Sequence, residues 1–187
     1  MSTAKKFQNQ KVIGWREWVT FPDLLSEPIK AKIDSGARTS AIHAIHIQTF
    51  MERGAPHVSF VLYPMQRRRE PAVNCIAEIR DEREVTSSTG HSHPRYVIEI
   101  NVCLGGTTWP IEVTLADRGL MGFRLLLGRQ ALKGRFLIDP NRSFIANRKR
   151  AEGTTKSTCP RPYSQSGRHH FPSSIGHSIL GQTENHR

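Results

Sequence analysis

Asp34 is the side chain in this sequence best placed to do chemistry. An apolar approach (Ile29, Ala31, Ile33) leads to it, and three small residues, Ser35, Gly36 and Ala37, follow before a second β-prone run. The pattern reads as strand, tight turn, strand, with a carboxylate at the tip. Gly36 permits a sharp turn, Ser35 offers a hydroxyl to the loop backbone, and Ala37 leaves space above the carboxylate. Such a tip can approach another group, including a copy of itself. Two carboxylates at close range cannot both be ionised cheaply. One then takes a proton from water while its protonated neighbour polarises a carbonyl, which is the chemistry of amide hydrolysis without a covalent intermediate. An isolated Asp-Ser-Gly is an ordinary turn, so the reading needs a second element.

That element lies toward the other end of the chain. Leu125-Leu126-Leu127-Gly128-Arg129-Gln130-Ala131-Leu132 is an apolar run ending in glycine, followed by a short helical pattern. Together, Asp34-Ser35-Gly36-Ala37 and Leu126-Leu127-Gly128-Arg129 resemble the active-site loop and the closing segment of retropepsin-type aspartic proteases. There, two hydrophobic residues and a glycine pass behind the catalytic loop before a short helix. Lys32-Ile33-Asp34-Ser35-Gly36-Ala37-Arg38-Thr39-Ser40-Ala41, Thr114-Leu115-Ala116-Asp117-Arg118, Leu132-Lys133-Gly134-Arg135-Phe136-Leu137 and Asp139-Pro140 narrow the resemblance. They are similar to the cellular retropepsin-like family labelled "ATP-dependent zinc protease", whose members are associated with ATP-grasp glutamate ligases. The resemblance covers residues 11–148.

The resemblance implies an all-β fold, a retropepsin-like closed β-barrel equivalent to one lobe of an acid protease, with one short C-terminal helix. It implies a catalytic set of Asp34, Ser35 and Gly36, with Leu126, Leu127 and Gly128 as the structural closing loop. Ala37, Arg38, Arg129 and the hairpin tip Ser88, Thr89 and Gly90 are the expected substrate contacts. One such loop per chain and a two-carboxylate mechanism require a homodimer. The chain departs from the viral pattern at Arg38: the fourth residue after the catalytic aspartate is commonly acidic there and pairs with the arginine of the closing segment. Arg129 must therefore find another partner. Cations at Arg38 and Arg129 suit acidic or glutamate-rich protein tails, as does the association with glutamate ligases. No cofactor and no metal are expected, because the sequence has no His-Glu-x-x-His, no Cys-x-x-Cys and no Gly-x-x-x-x-Gly-Lys-Ser/Thr loop. Two other readings compete: a zinc-dependent peptidase, and a non-catalytic domain that binds acidic protein or RNA.

The elements that must position these residues follow from the apolar patterning. Lys11–Phe21 reads as a first strand, ended by Pro22-Asp23. After the Asp34 unit come a strand over 58–63, two antiparallel strands over 73–83 and 96–102, and a hairpin around Gly105-Gly106 that continues to Leu115. A short helix to about Lys133 and a last strand over 135–138 complete the domain. The 72–100 hairpin occupies the place of the flap that covers substrate in retropepsins. Trp15 and Trp18 are expected to pack on the sheet, Asp117-Arg118-Gly119 to form a turn, and Arg67, Arg68 and Arg69 to lie in a loop. His43 and His46, three apart on a strand, point to opposite faces and make a poor metal pair.

At 187 residues with net charge +11, the chain suits one domain with a core, but not the two lobes of a pepsin-like enzyme. Residues 1–10 and 149–187 are polar, and both are expected to be disordered. The basic excess predicts anionic partners, although no nucleic-acid motif accompanies it and nucleic acid is not the expected partner. Cys75, Cys103 and Cys159 are scattered and imply no disulfide framework. No apolar run approaches the roughly 18 residues of a membrane span and no signal peptide is evident, so no membrane partner and a cytoplasmic location are expected.

Overall fold

A computed structural model describes residues 10–86, 92–119 and 121–146. The described residues form ten strands and one short helix. In order, these are β1 (Lys11–Gly14), β2 (Arg16–Phe21), β3 (Leu25–Asp34), β4 (Ser40–Glu52), β5 (Ala55–Leu62), β6 (Val73–Thr86), β7 (Ser92–Leu104), β8 (Thr107–Ala116), β9 (Leu125–Gly128), α1 (Arg129–Leu132) and β10 (Phe136–Asp139). The all-β expectation holds, and the elements fall where the patterning put them. The first predicted strand is divided at Trp15, because β1 pairs in parallel with β10 while β2 pairs with β3.

Strand pairings run β2–β3–β9–β4–β8–β7 and return from β7 to β2, so the sheet closes into a ring. Burial follows from the position of each strand in that ring. Leu125–Gly128 is buried at all four positions, lying between β3 on one side and β4 on the other. Ser40–Ala44 is likewise buried throughout, then exposure begins as β4 leaves the ring to pair with β5. Continuous apolar runs mark strands covered on both faces, and alternation marks strands wet on one. Ile29, Ile33, Ile42, Ile98, Val113, Leu115, Leu125 and Leu127 are among the residues that fill the core.

The turn between β7 and β8 is made by Gly105 and Gly106, with φ of +59° and +76°. Left-handed angles at both central residues are what a two-residue hairpin requires and what side chains resist. Trp109 in β8 donates its indole N–H to the Ala131 carbonyl at 3.1 Å and packs on Phe136, which fastens α1 and β10 to the ring. Trp15 packs edge-on against Phe123, and Trp18 lies against Phe144 under the Lys30 ammonium, so both serve packing as expected. Cys75 is a free, buried thiol, pushed up to about 12 by burial. Cys103 is disulfide-bonded, a departure from the expectation of unpaired cysteines.

A buried carboxylate locks the chain's two described ends together. Glu17 has no exposed surface, and its Oε1 accepts hydrogen bonds from the backbone N–H of Gly14 (2.7 Å), Ile145 (3.0 Å) and Ala146 (3.1 Å). Further bonds, from Trp15 N–H to the Arg142 carbonyl and from Phe144 N–H to the Arg16 carbonyl, lay residues 142–146 along β2. An alternating strand pattern gives no sign of this, since an inward Glu breaks it. Removing the acceptor leaves three N–H groups without a partner. Glu17→Ala should therefore lower the unfolding free energy by about 3 kcal/mol or more, with Glu17→Gln milder because its amide oxygen still accepts. Denaturant melts of both variants check this; a loss below about 1 kcal/mol for the alanine would show that water replaces the carboxylate.

Candidate active site

Asp34 is the last residue of β3 and stands beside Gly128, the last residue of β9, in a parallel pairing. Three contacts bind the two segments. Ser40 Oγ accepts from Gly128 N–H (3.2 Å), the Ala37 carbonyl accepts from Arg129 N–H (2.7 Å), and the Arg38 carbonyl accepts from Gln130 N–H (3.1 Å). Thr114 Oγ1 donates to the Ser40 carbonyl at 3.1 Å and anchors the loop's exit strand to β8. The glycine is obligatory: a Cβ at Gly128 would stand 2.5 Å from the Thr39 carbonyl carbon and oxygen. Leu126 and Leu127, buried in the ring, hold β9 at this depth.

The carboxylate itself is fixed by its own loop. Asp34 Oδ1 accepts hydrogen bonds from the Gly36 N–H (3.1 Å) and the Ala37 N–H (3.2 Å). Oδ2 faces the Lys32 ammonium at 3.4 Å, and the Asp34 side chain keeps a quarter of its surface exposed. Ser35, Gly36 and Arg38 are exposed and Ala37 is half-buried, so the tip of the loop presents itself to solvent. Support comes from behind, and the carboxylate stays partly open to solvent.

Arg129, expected beside substrate, donates its Nη1 to the Ser35 carbonyl at 2.9 Å. The acidic partner found in the viral pattern is thus replaced by a backbone oxygen of the same loop. Arg38 opens onto a cleft of about 540 Å³ that it shares with Thr39, Gln130, Glu112, Arg83 and Val85. On its wall Arg83 grips Glu112 with two hydrogen bonds (2.7 and 3.2 Å) and also binds Asp81. The Arg83 hydrogen bond holds the Glu112 carboxyl below its ordinary range. Ser88, Thr89 and Gly90 lie outside the described residues, as does His91. Among the described residues no three His, Cys, Asp or Glu side chains are grouped to hold a metal ion.

Two cations near the site were not assigned to it by sequence patterning. Lys32 precedes the carboxylate by two residues, and the alternation of a strand puts both on one face. Arg118 lies in the 117–124 connection between β8 and β9, and its charge interacts with that of Asp34. Asp117-Arg118-Gly119 is a turn as expected, with Asp117 Oδ1 accepting from the Gly119 N–H at 2.9 Å. The Arg67–Arg69 loop packs elsewhere: the Arg68 carbonyl accepts from Arg124 Nη2, and Arg124 covers the Tyr63 ring.

His43, on β4, is buried and fixes this turn. Its Nδ1 accepts the Arg118 backbone N–H at 2.9 Å, which makes the neutral ring protonated at Nε2 the resident form. Burial and the neighbouring Arg124 cation lower its pKa, against the opposing pull of Asp117. The unfolded chain therefore takes up a proton first. The stability that His43 contributes is complete above about pH 6.5 and is lost as pH falls from there through its folded-state value. His43→Asn, whose side-chain oxygen can still accept from Arg118, should show a shallower loss of stability over that acidic window. Melting temperatures of both proteins across pH 5 to 7 check this; parallel curves would remove His43 from the account.

Comparison with known proteins agrees with this geometry. The family model for RimB-like proteins, described as retropepsin-like aspartic endopeptidase RimB, matches residues 12–149. A protein of Shewanella pealeana named "Probable alpha-L-glutamate ligase" is 46% identical over 141 residues, which are 75% of this chain and 31% of that protein. One of the same name from Desulfotalea psychrophila is 46% identical over 131 residues, 70% of this chain and 28% of the relative. The chain thus spans less than a third of the length of these curated relatives. The crystal structure of Lpg0085 from Legionella pneumophila, a protein of unknown function, superposes with a TM-score of 0.61 at 24% identity, covering 73% of this chain and 98% of that one; this likeness concerns the fold. With the interlocked Asp34 and Gly128 segments and a family match over most of its length, the chain belongs to the RimB-like family of retropepsin-like aspartic endopeptidases.

Proposed function

We propose that the protein is an aspartic peptidase that works as a homodimer, with Asp34 from each protomer meeting at the dimer axis. The observation that carries this is the Asp34 carboxylate, locked from behind by the Gly128 segment and open in front. A pair of such carboxylates holds one proton between them, since like charges at that distance cannot both be ionised cheaply. The ionised member accepts a proton from the attacking water, and the protonated member hydrogen-bonds the scissile carbonyl. Ser35 and Gly36 shape the contact between the two loops. Support for self-association comes from the β1–β10 pair, where Val12, Leu137 and Ile138 are large apolar side chains exposed on a two-stranded sheet.

The substrate is an acidic or glutamate-rich protein tail. Arg38, in the segment that follows Asp34, is one of the residues lining the cleft, and the protein carries net charge +11. The relatives named for glutamate ligation contain this region as under a third of their length, and a peptidase that acts on glutamate chains fits beside a ligase. No helix among the described residues is long and apolar enough to cross a membrane, and a cytoplasmic tail-processing role fits that.

Asp34→Asn should abolish cleavage of Glu-rich peptides while leaving the fold and the dimer intact; sedimentation and activity assays on both proteins check this. EDTA should leave the wild-type rate unchanged. Activity that survives Asp34→Asn but needs zinc would replace this reading with a metallopeptidase. An active protein that sediments strictly as a monomer would end the shared-carboxylate mechanism. Binding of acidic protein or RNA with no cleavage by the wild type would favour a non-catalytic domain.

A further inference from the structure

The outer face of β2 and β3 carries cations that the fold does not neutralise. In the antiparallel register Arg16 stands directly across from Lys32, and Trp18 directly across from Lys30. Glu17, Val19, Ile29 and Ala31 take the buried side of these strands. Alternation therefore leaves Arg16, Trp18, Lys30 and Lys32 together on the other side, with Asp34 next in the same row. Lys32 is exposed, and Arg16 and Lys30 are half-buried. Like charges directly opposite one another destabilise a strand pair. Of the three cations, Lys32 alone has an ion pair among the described residues, with Asp34 Oδ2 at 3.4 Å.

Aromatic rings hold the other two in place. The Arg16 guanidinium lies 4.6 Å from the centre of the Trp15 ring and 5.1 Å from that of Phe144, and its Nε donates to Ser143 Oγ at 3.0 Å. The Lys30 ammonium lies 5.1 Å from the Trp18 ring centre and 5.8 Å from that of Phe144. Rings placed this way fix a cation without cancelling its charge. The heads are thus positioned before a ligand arrives, which lowers the ordering cost of binding one. Phe144 itself donates its N–H to the Arg16 carbonyl, in the segment that the Glu17 carboxylate ties down. The lock between the chain's described ends therefore also places these charges.

Spacing and packing identify the partner. Lys30, Lys32 and Asp34 follow one another at alternate positions of one strand, roughly 7 Å apart. An extended peptide repeats its own side chains at that interval, so carboxylates on alternate residues match the row. Single-stranded nucleic acid needs free aromatic faces on which bases stack, whereas these rings are engaged with the protein's own cations. We propose that Arg16 and Lys30 form a docking surface for an extended acidic segment of the protein substrate, outside the residues being cut, and that Lys32 joins this surface to Asp34. This rests on the peptidase reading above and adds to it where the acidic tail is gripped.

The test is fluorescence anisotropy on Asp34→Asn protein, with a labelled peptide bearing a run of glutamates and one of equal length bearing glutamines. The glutamate peptide should bind more tightly, and Arg16→Gln/Lys30→Gln in the same background should weaken it about ten-fold or more. That difference should shrink as salt rises, because screening weakens partly exposed pairs. Arg53→Ala, which removes an exposed cation from the distant β4–β5 turn, should leave the affinity as it was. Equal binding of the two peptides, or an affinity for glutamates that the double substitution does not change, overturns the proposal. So does a single-stranded oligouridylate that binds more tightly than the glutamate peptide and is lost in the double variant, since the face would then serve nucleic acid. If the double variant fails to fold, Lys30→Gln alone carries the test with an expected loss of about three-fold, and no loss there overturns the proposal. Catalysis is a separate arm: full cleavage by Asp34→Asn would sink the aspartic mechanism, while the anisotropy comparison would still decide whether β2 and β3 hold the acidic segment.

Discussion

Gly128 and the backbone of Thr39 approach too closely to admit a Cβ between them, and much else depends on that contact. The Asp34 loop bends over β9 at a separation that leaves no room for a Cβ. That proximity lets three backbone and hydroxyl groups of the loop, at Ala37, Arg38 and Ser40, take the N–H groups of Gly128, Arg129 and Gln130. β9 must be apolar on both faces to lie so deep, and β3 and β4 must flank it, which in turn closes the ring. The carboxylate ends up at the tip because the rest of its loop is engaged behind it.

Three cations around Asp34 do different work because their surroundings differ. Lys32 is half-exposed at 3.4 Å from the carboxylate, and water between and around such charges leaves the pair worth at most about 1 kcal/mol. Arg129 is committed to a carbonyl oxygen and braces the loop. Arg118 is half-buried and held by its backbone, and its Nε has no hydrogen-bond partner among the described residues. Net positive charge is spread widely over this protein, so the charge total alone identifies none of these. Burial and hydrogen-bond state separate them.

Most of the fold was legible because its strands obey simple periodicities. Alternation marked the outer strands, unbroken apolar runs marked β9 and the start of β4, and Gly105-Gly106 marked a hairpin. The loop and its closing segment were legible as a pair, since each alone is a common turn or a common apolar run. Other features left no signal in the linear pattern. Glu17 looks like an outward strand residue, yet it is fully buried because residues 142–146 come back to meet it, a contact between parts of the chain far apart in sequence. His43 gave a signal only as an unpromising metal ligand, and its bond to Arg118 joins residues 75 apart. Arg118 was visible as part of a turn, while the His43 ring that accepts its N–H comes from another strand.

The manner in which the Asp34 loop is braced has an evolutionary consequence. Oxygen and N–H groups of the main chain do nearly all of the holding, and they are present whatever side chains a lineage carries. Substitutions at Ser35, Arg38 or the neighbouring cleft can therefore accumulate without loosening the carboxylate, provided that Gly128 stays a glycine and Ser40 keeps its hydroxyl. The surrounding side chains are free to drift while the Asp34 carboxylate stays put. A scaffold of this kind lends itself to repurposing, with one carboxylate fixed while its surroundings change.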